Sequence, residues 1–160
     1  MALSKEDIKS TYPLPAYNYR VTVLDNGEAN VLGFSEVSGL SIAYEPVTYK
    51  HGFSFLMGIQ IVPGMRQPIK LTLKKGLTQN GDFLQNWLNS CYLDPGLITS
   101  RRDVIIDLCD EKGLPVIRWK VKQALPTKLD APTFTANSNE VAIISMELIA
   151  TDLEADYHPS

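Results

Sequence analysis

Two histidines, His51 and His158, and two cysteines, Cys91 and Cys109, are the side chains around which a catalytic or metal centre would have to be built. Their placement argues against one. His51 falls in a predicted loop and His158 is third from the C-terminus, so neither stands on a rigid element. Cys91 and Cys109 have no His or Cys partner at zinc spacing, and each lies on an apolar or mixed face where cysteine behaves as a small hydrophobe. Asp103 and Asp107 share one face of a predicted strand, as an acid/base pair would, although such carboxylates more often mark a solvated strand face. No phosphate loop, dinucleotide fingerprint or nucleophile elbow is present. The chain therefore reads as non-enzymatic, with no metal and no cofactor expected. A β-barrel enzyme or small-ligand binder is the competing class, and the missing histidine and carboxylate constellation is the objection to it.

The elements that would position any site follow from periodicity. Ser4-Lys-Glu-Asp7 has capping-box spacing and predicts a short helix from Lys5 to about Lys9. Tyr17, Tyr19, Val21 and Val23 alternate with polar residues as a half-buried strand, closed by Asn26-Gly27, which predicts that Val31 to Val37 returns antiparallel. Ser41 to Lys50 is extended but carries Pro46, which removes a ladder donor and predicts an edge strand or projecting arm. Ile69, Leu71 and Leu73 predict a strand ending at Gly76. Phe83, Leu84, Trp87, Leu88 and Cys91 form a stripe of helical period, which sets a helix over about 82–92. Val104 to Leu108 and Ile117 to Val121 predict a second hairpin around Asp110-Glu-Lys-Gly113. Pro126 to Asn139 reads as a long connection, and Glu140 to Ala150 as a central strand apolar on both faces. The fold class is mainly β: a β-sandwich or small barrel of six or seven strands with one flanking α-helix and a projecting β-hairpin arm.

At 160 residues the chain fits a single domain, 1–160, whose core needs no staple. Hydrophobic residues at 44% and charged ones at 21% exclude disorder, and a net charge of −3 with scattered basic residues argues against a nucleic-acid grip. Apolar runs fall short of the roughly 20 residues that span a bilayer, and the N-terminus lacks the apolar region of a secretory signal. Assembly in a cytosol is expected, with free thiols.

The stretch from His51 to Met65 is anomalous. It is punctuated as a loop by Gly52, Gly58, Pro63 and Gly64, yet it carries Phe53, Phe55, Leu56, Met57, Ile59, Ile61, Val62 and Met65. If seven of these side chains exposed about 100 Å² each, the patch would reach ~700 Å², above the ~300–600 Å² usual for a monomer. Either a partner covers it, or Ile59-Gln-Ile-Val62 forms one more strand of the core.

Several segments carry a family resemblance: Tyr12-Pro-Leu-Pro15, Gly33-Phe-Ser-Glu-Val-Ser-Gly-Leu40, Tyr44-Glu45 with Tyr49, Pro63-Gly64, Leu73-Lys-Lys-Gly76, Trp87 and Asn139-Glu-Val-Ala-Ile143. In order and spacing, from about Tyr12 to Leu153, they resemble the tail-tube protein family of contractile phages and phage-derived contractile injection systems. That resemblance implies an inner-tube subunit forming stacked homo-hexameric rings around a lumen for cargo or DNA. It further implies sheath and baseplate or hub proteins as partners, no stable membrane insertion, and assembly in the bacterial cytoplasm before incorporation into a phage tail or released particle. The arm, about 41–65, would then supply the contact between rings through Tyr49, Phe53, Phe55, Leu56, Met57, Ile59, Ile61, Val62 and Met65. Asp103, Asp107 and Glu147 are the candidate lumen-facing acids. An arm this apolar also suits a tube-initiator ring on the baseplate hub, and a free effector carrier of the type VI tube kind is the further alternative.

Overall fold

A computed structural model describes residues 4–25, 27–50, 52, 58–79, 82–92, 101–137 and 139–159. Its elements run α1 (Lys5–Thr11), β1 (Tyr19–Asp25), β2 (Glu28–Leu32), β3 (Glu36–Ser38), β4 (Val47–Tyr49), β5 (Gln60–Val62), β6 (Ile69–Gly76), α2 (Phe83–Tyr92), β7 (Arg102–Cys109), β8 (Pro115–Asp130), β9 (Ile143–Ala150) and β10 (Asp152–Asp156). Eight strands are hydrogen-bonded in the order β2-β1-β7-β8-β9-β6-β3, with β10 added to β8, while β4 and β5 pair only with each other. Every pairing is antiparallel. The described residues thus hold ten strands, more than the six or seven expected, on the architecture expected.

Strand β8 makes this one sheet fold over itself. Its first half pairs with β7 and β10, and its second half, from Leu125 on, pairs with β9. The turn between them is a bulge: two residues, Lys122 and Gln123, stand opposite Asp103 alone, and Gln123 adopts φ +55°. A left-handed glutamine costs about 1 kcal/mol or more. The cost is offset locally, because the Gln123 N–H donates to Asp103 Oδ1 at 2.9 Å. A second irregularity at Pro126–Lys128 lets the strand continue through a buried proline that has no N–H to give the ladder. Pro126 to Asp130 is therefore strand, correcting the expectation that the connection began at Pro126.

Between the two halves lies the core. Val21 and Val23 of β1, Val104 and Ile106 of β7 and Val121 of β8 meet Leu71 and Leu73 of β6 and Met146 and Leu148 of β9, all buried. Fully burying each such side chain contributes about 1.5–3 kcal/mol. Helix α2 closes one end with Leu84 and Trp87. Arg102 fastens it, with its guanidinium 5.3 Å from the rings of both Phe83 and Trp87 and 3.1 Å from Asp25.

Two further expectations are corrected. The strand after the first turn begins at once, with Asp25 opposite Glu28, and breaks at Gly33 rather than running from Val31 to Val37. Phe34 and Ser35 carry the chain from one half-sheet to the other, held by Tyr19 Oη donating to the Phe34 carbonyl at 2.6 Å and the Ser35 N–H donating to the Lys74 carbonyl at 2.7 Å. Strand β9 is central, but only its inner face is buried, and Glu147 on the other face is exposed.

Candidate assembly surface

Nothing in the described residues gathers into a reaction centre. His158 lies in the exposed C-terminal segment, its own N–H donating to Asp156, and His51 lies outside the described residues. Cys91 and Cys109 form no disulfide among the described residues, and Cys109 is buried. No group of His, Cys, Asp or Glu suited to a metal ion occurs among the described residues, and no helix there is long and apolar enough to cross a membrane.

What the fold does present is an arm. Strands β4 and β5 stand apart from the sheet, every residue of both exposed, with Val47 opposite Val62 and Tyr49 opposite Gln60. Gln60–Val62 thus forms a strand outside the core and Ile59 beside it is exposed, so this segment is not one more strand of the core. The pairing continues to the body through the Glu45 N–H to the Met65 carbonyl, the bridge between Tyr44 and Arg66, and the Gln67 N–H to the Ala43 carbonyl. Pro46 faces Pro63 and Gly64, so the register slips by one residue there. Gly64 is required at that slip: a Cβ on it would sit 1.7 Å from the Glu45 carbonyl oxygen.

The arm is apolar along its length. Tyr49, Ile59, Ile61, Val62 and Met65, all expected at an interface, are exposed, Met65 to 86% and Ile61 to 73%. Phe53, Phe55, Leu56 and Met57 lie outside the described residues. Ile42, Tyr44 and Val47 of the same segment are exposed as well and were not among the expected contacts, although the alternation of Ile42 and Tyr44 with Ala43 and Glu45 is a signal for the first two. So much apolar area on a two-stranded ribbon is unstable in water by itself and gains about 25 cal/mol for each Å² that a partner covers.

The three candidate acids fall in three environments. Asp107 is buried, not displayed: it accepts from Arg118 Nε at 2.7 Å and from Arg20 Nη2 at 3.3 Å, both from adjacent strands. The hydrogen bond from Arg118 to Asp107 lifts the Arg118 pKa above its ordinary value against the opposing effect of burial, with the charges of Asp107 and then Asp156 adding to it. A carboxylate so enclosed offers no open charge to a lumen, which corrects the expectation for Asp107. Asp103 is half-buried at the β8 bulge, already accepting from Gln123. Glu147 is exposed on the outer face of the half-sheet holding β6 and β9, whereas Asp103 and Asp107 lie on the outer face of the half-sheet holding β1 and β7. The two faces point away from each other across the shared core, so these acids do not form one lining.

The fold and sequence have close counterparts. Residues 15–154 match the family model of the T4-like virus tail tube protein gp19. A chain of an extracellular contractile injection system, the PVC sheath–tube complex in its extended state, is 31% identical, with 98% of this chain and 99% of that chain covered and a TM-score of 0.83. A chain of the anti-feeding prophage cap, the AFP tube-terminating cap, is also 31% identical over 98% and 99%, with a TM-score of 0.80. For the PVC sheath/tube terminator in the extended state the figures are 32%, 91% and 97%, with a TM-score of 0.78. No curated protein sequence matches the chain.

Proposed function

Because this chain belongs to the T4-like virus tail tube protein gp19 family, we propose that it is a repeating structural subunit of the inner tube of a contractile injection system, assembled as stacked homo-hexameric rings. The observation that carries this reading is the exposed apolar arm, which a free monomer has no reason to keep and a neighbouring ring would cover. The edges of β2, β3 and β10 that pair with no other strand among the described residues support it as well, since an unpaired strand edge invites another chain. Sheath, baseplate and hub proteins are the further partners, and the particle acts outside the cell after cytoplasmic assembly. The subunit performs no bond chemistry; it holds a stiff channel through which cargo or DNA passes. Whichever outer face turns to the channel supplies its acid, Glu147 from the β6/β9 half-sheet or Asp103 from the β1/β7 half-sheet.

A tube-initiator ring is the second reading, favoured by the hydrophobicity of the arm from Ile59 to Met65. Light scattering on the double substitution Ile61→Asp, Met65→Asp tests the role of the arm. The expected outcome is a protein that keeps its secondary structure and loses growth beyond a single ring. Unchanged growth would remove the arm from the inter-ring contact.

A further inference from the structure

An arm whose strands β4 and β5 lie outside the main sheet needs a fixed direction, and among the described residues Arg66 supplies a side-chain connection to the body. From Ser41 to Pro68, among the described residues, only Gly64 and Arg66 are not exposed, so Arg66 is the one side chain of the segment turned into the body. Its guanidinium forms an ion pair with Asp152 and donates from Nη2 to the Leu153 carbonyl at 3.1 Å. Both acceptors belong to the start of β10, the strand whose far edge is open. Arg66 also bridges to Tyr44, so the two strands of the arm are anchored at one point. Asp152 is held in turn by the Leu153 N–H at 2.9 Å. The Arg66 Nε is buried without a hydrogen-bond partner among the described residues, beside a cavity of about 360 Å³ shared with Arg101, Gln123 and Thr151.

We infer that Arg66 is the positioning residue of the arm: by gripping Asp152 and the Leu153 carbonyl it sets the angle at which the hairpin leaves the body and ties that angle to β10. A planar fork with several donors can hold two acceptors at once, whereas lysine brings a single point charge on a flexible stem. The arm would otherwise pivot on Ser41–Ala43 and Gln67–Pro68. Its consequence for assembly rests on the tube reading: an arm held at one angle meets the next ring in one register, and occupancy of the β10 edge is felt at the arm.

The test places spin labels at Thr48→Cys on the arm and Asn86→Cys on α2, in a Cys91→Ser background, with labelled protein diluted into unlabelled protein. Pulsed dipolar spectroscopy on the Arg66 form should give one narrow distance, and Arg66→Gln a distribution about twofold broader. Arg66→Lys should fall between them, because it keeps the charge and loses the fork. Equal widths for Arg66 and Arg66→Gln would overturn the inference. Negative-stain images of the same samples read the consequence: tubes several-fold shorter for Arg66→Gln, with rings retained. If even the Arg66 form makes no rings, the tube reading fails while the distance comparison still decides the positioning role.

Discussion

Asp107 is where the chemistry of this chain is most concentrated. A carboxylate 2% exposed is tolerated there because two guanidiniums from neighbouring strands satisfy it, which makes it a cross-strand pin in the sheet. Asp107→Asn keeps the shape and removes the charge, and should lower unfolding stability by about 2 kcal/mol in urea titration, less than a fully buried pair because both arginines are partly exposed. Gln123 gives a second residue-scale prediction. If its φ of +55° is set by the fold, Gln123→Val should cost about 1–2 kcal/mol while Gln123→Gly costs nothing or stabilises slightly, read from thermal midpoints. Neither role was legible in the sequence. Asp103 and Asp107 were recognisable as acids on one strand face, but which of them is enclosed depends on Arg20 and Arg118, which come from strands β1 and β8, far away in sequence. The bulge at Gln123 leaves no mark, since glutamine is not a residue that announces a left-handed turn.

Elements were read more successfully where one periodicity ran unbroken. The capping box over Ser4 and Asp7, the alternation of Ile69, Leu71 and Leu73, and the Phe83–Cys91 stripe each fixed an element to within a residue or two. Boundaries failed where a strand changes half-sheet, at Gly33–Ser35 and again at Pro126, because local composition there reports a turn while the partner strand imposes continuity. Strand β10 went unseen: Asp-Leu-Glu-Ala-Asp has poor strand propensity and is held by its pairing with Arg118 to Lys122. For α1 the charges make a pH prediction. Asp7 is held below the usual carboxylate range by the Ser4 side chain and then its backbone N–H, and Glu111 by its hydrogen bond from Lys9. Depressed values stabilise the folded form above the ordinary carboxylate pKa of about 4 and lose that contribution as pH falls through them. The helical carbonyl shifts of Lys5–Thr11 should therefore fade below about pH 4, while those of β6 persist.

On the scale of the whole molecule, a well-filled core and an uncovered arm coexist in one chain. The core accounts for why a single subunit folds, and the arm is the surface through which the proposed assembly would form. That division is legible in the sequence, in the contrast between the regular strands and the apolar, glycine-punctuated stretch ending at Met65, whereas the anchor at Arg66 depends on contacts distant in sequence. The central proposal, that this chain is a repeating subunit whose hexameric rings stack into a tube, is tested most directly by negative-stain electron microscopy of the purified chain across a concentration series. Six-fold rings that stack into hollow tubes as concentration rises are the expected result. A monodisperse monomer at every concentration, or rings that never stack, would contradict it.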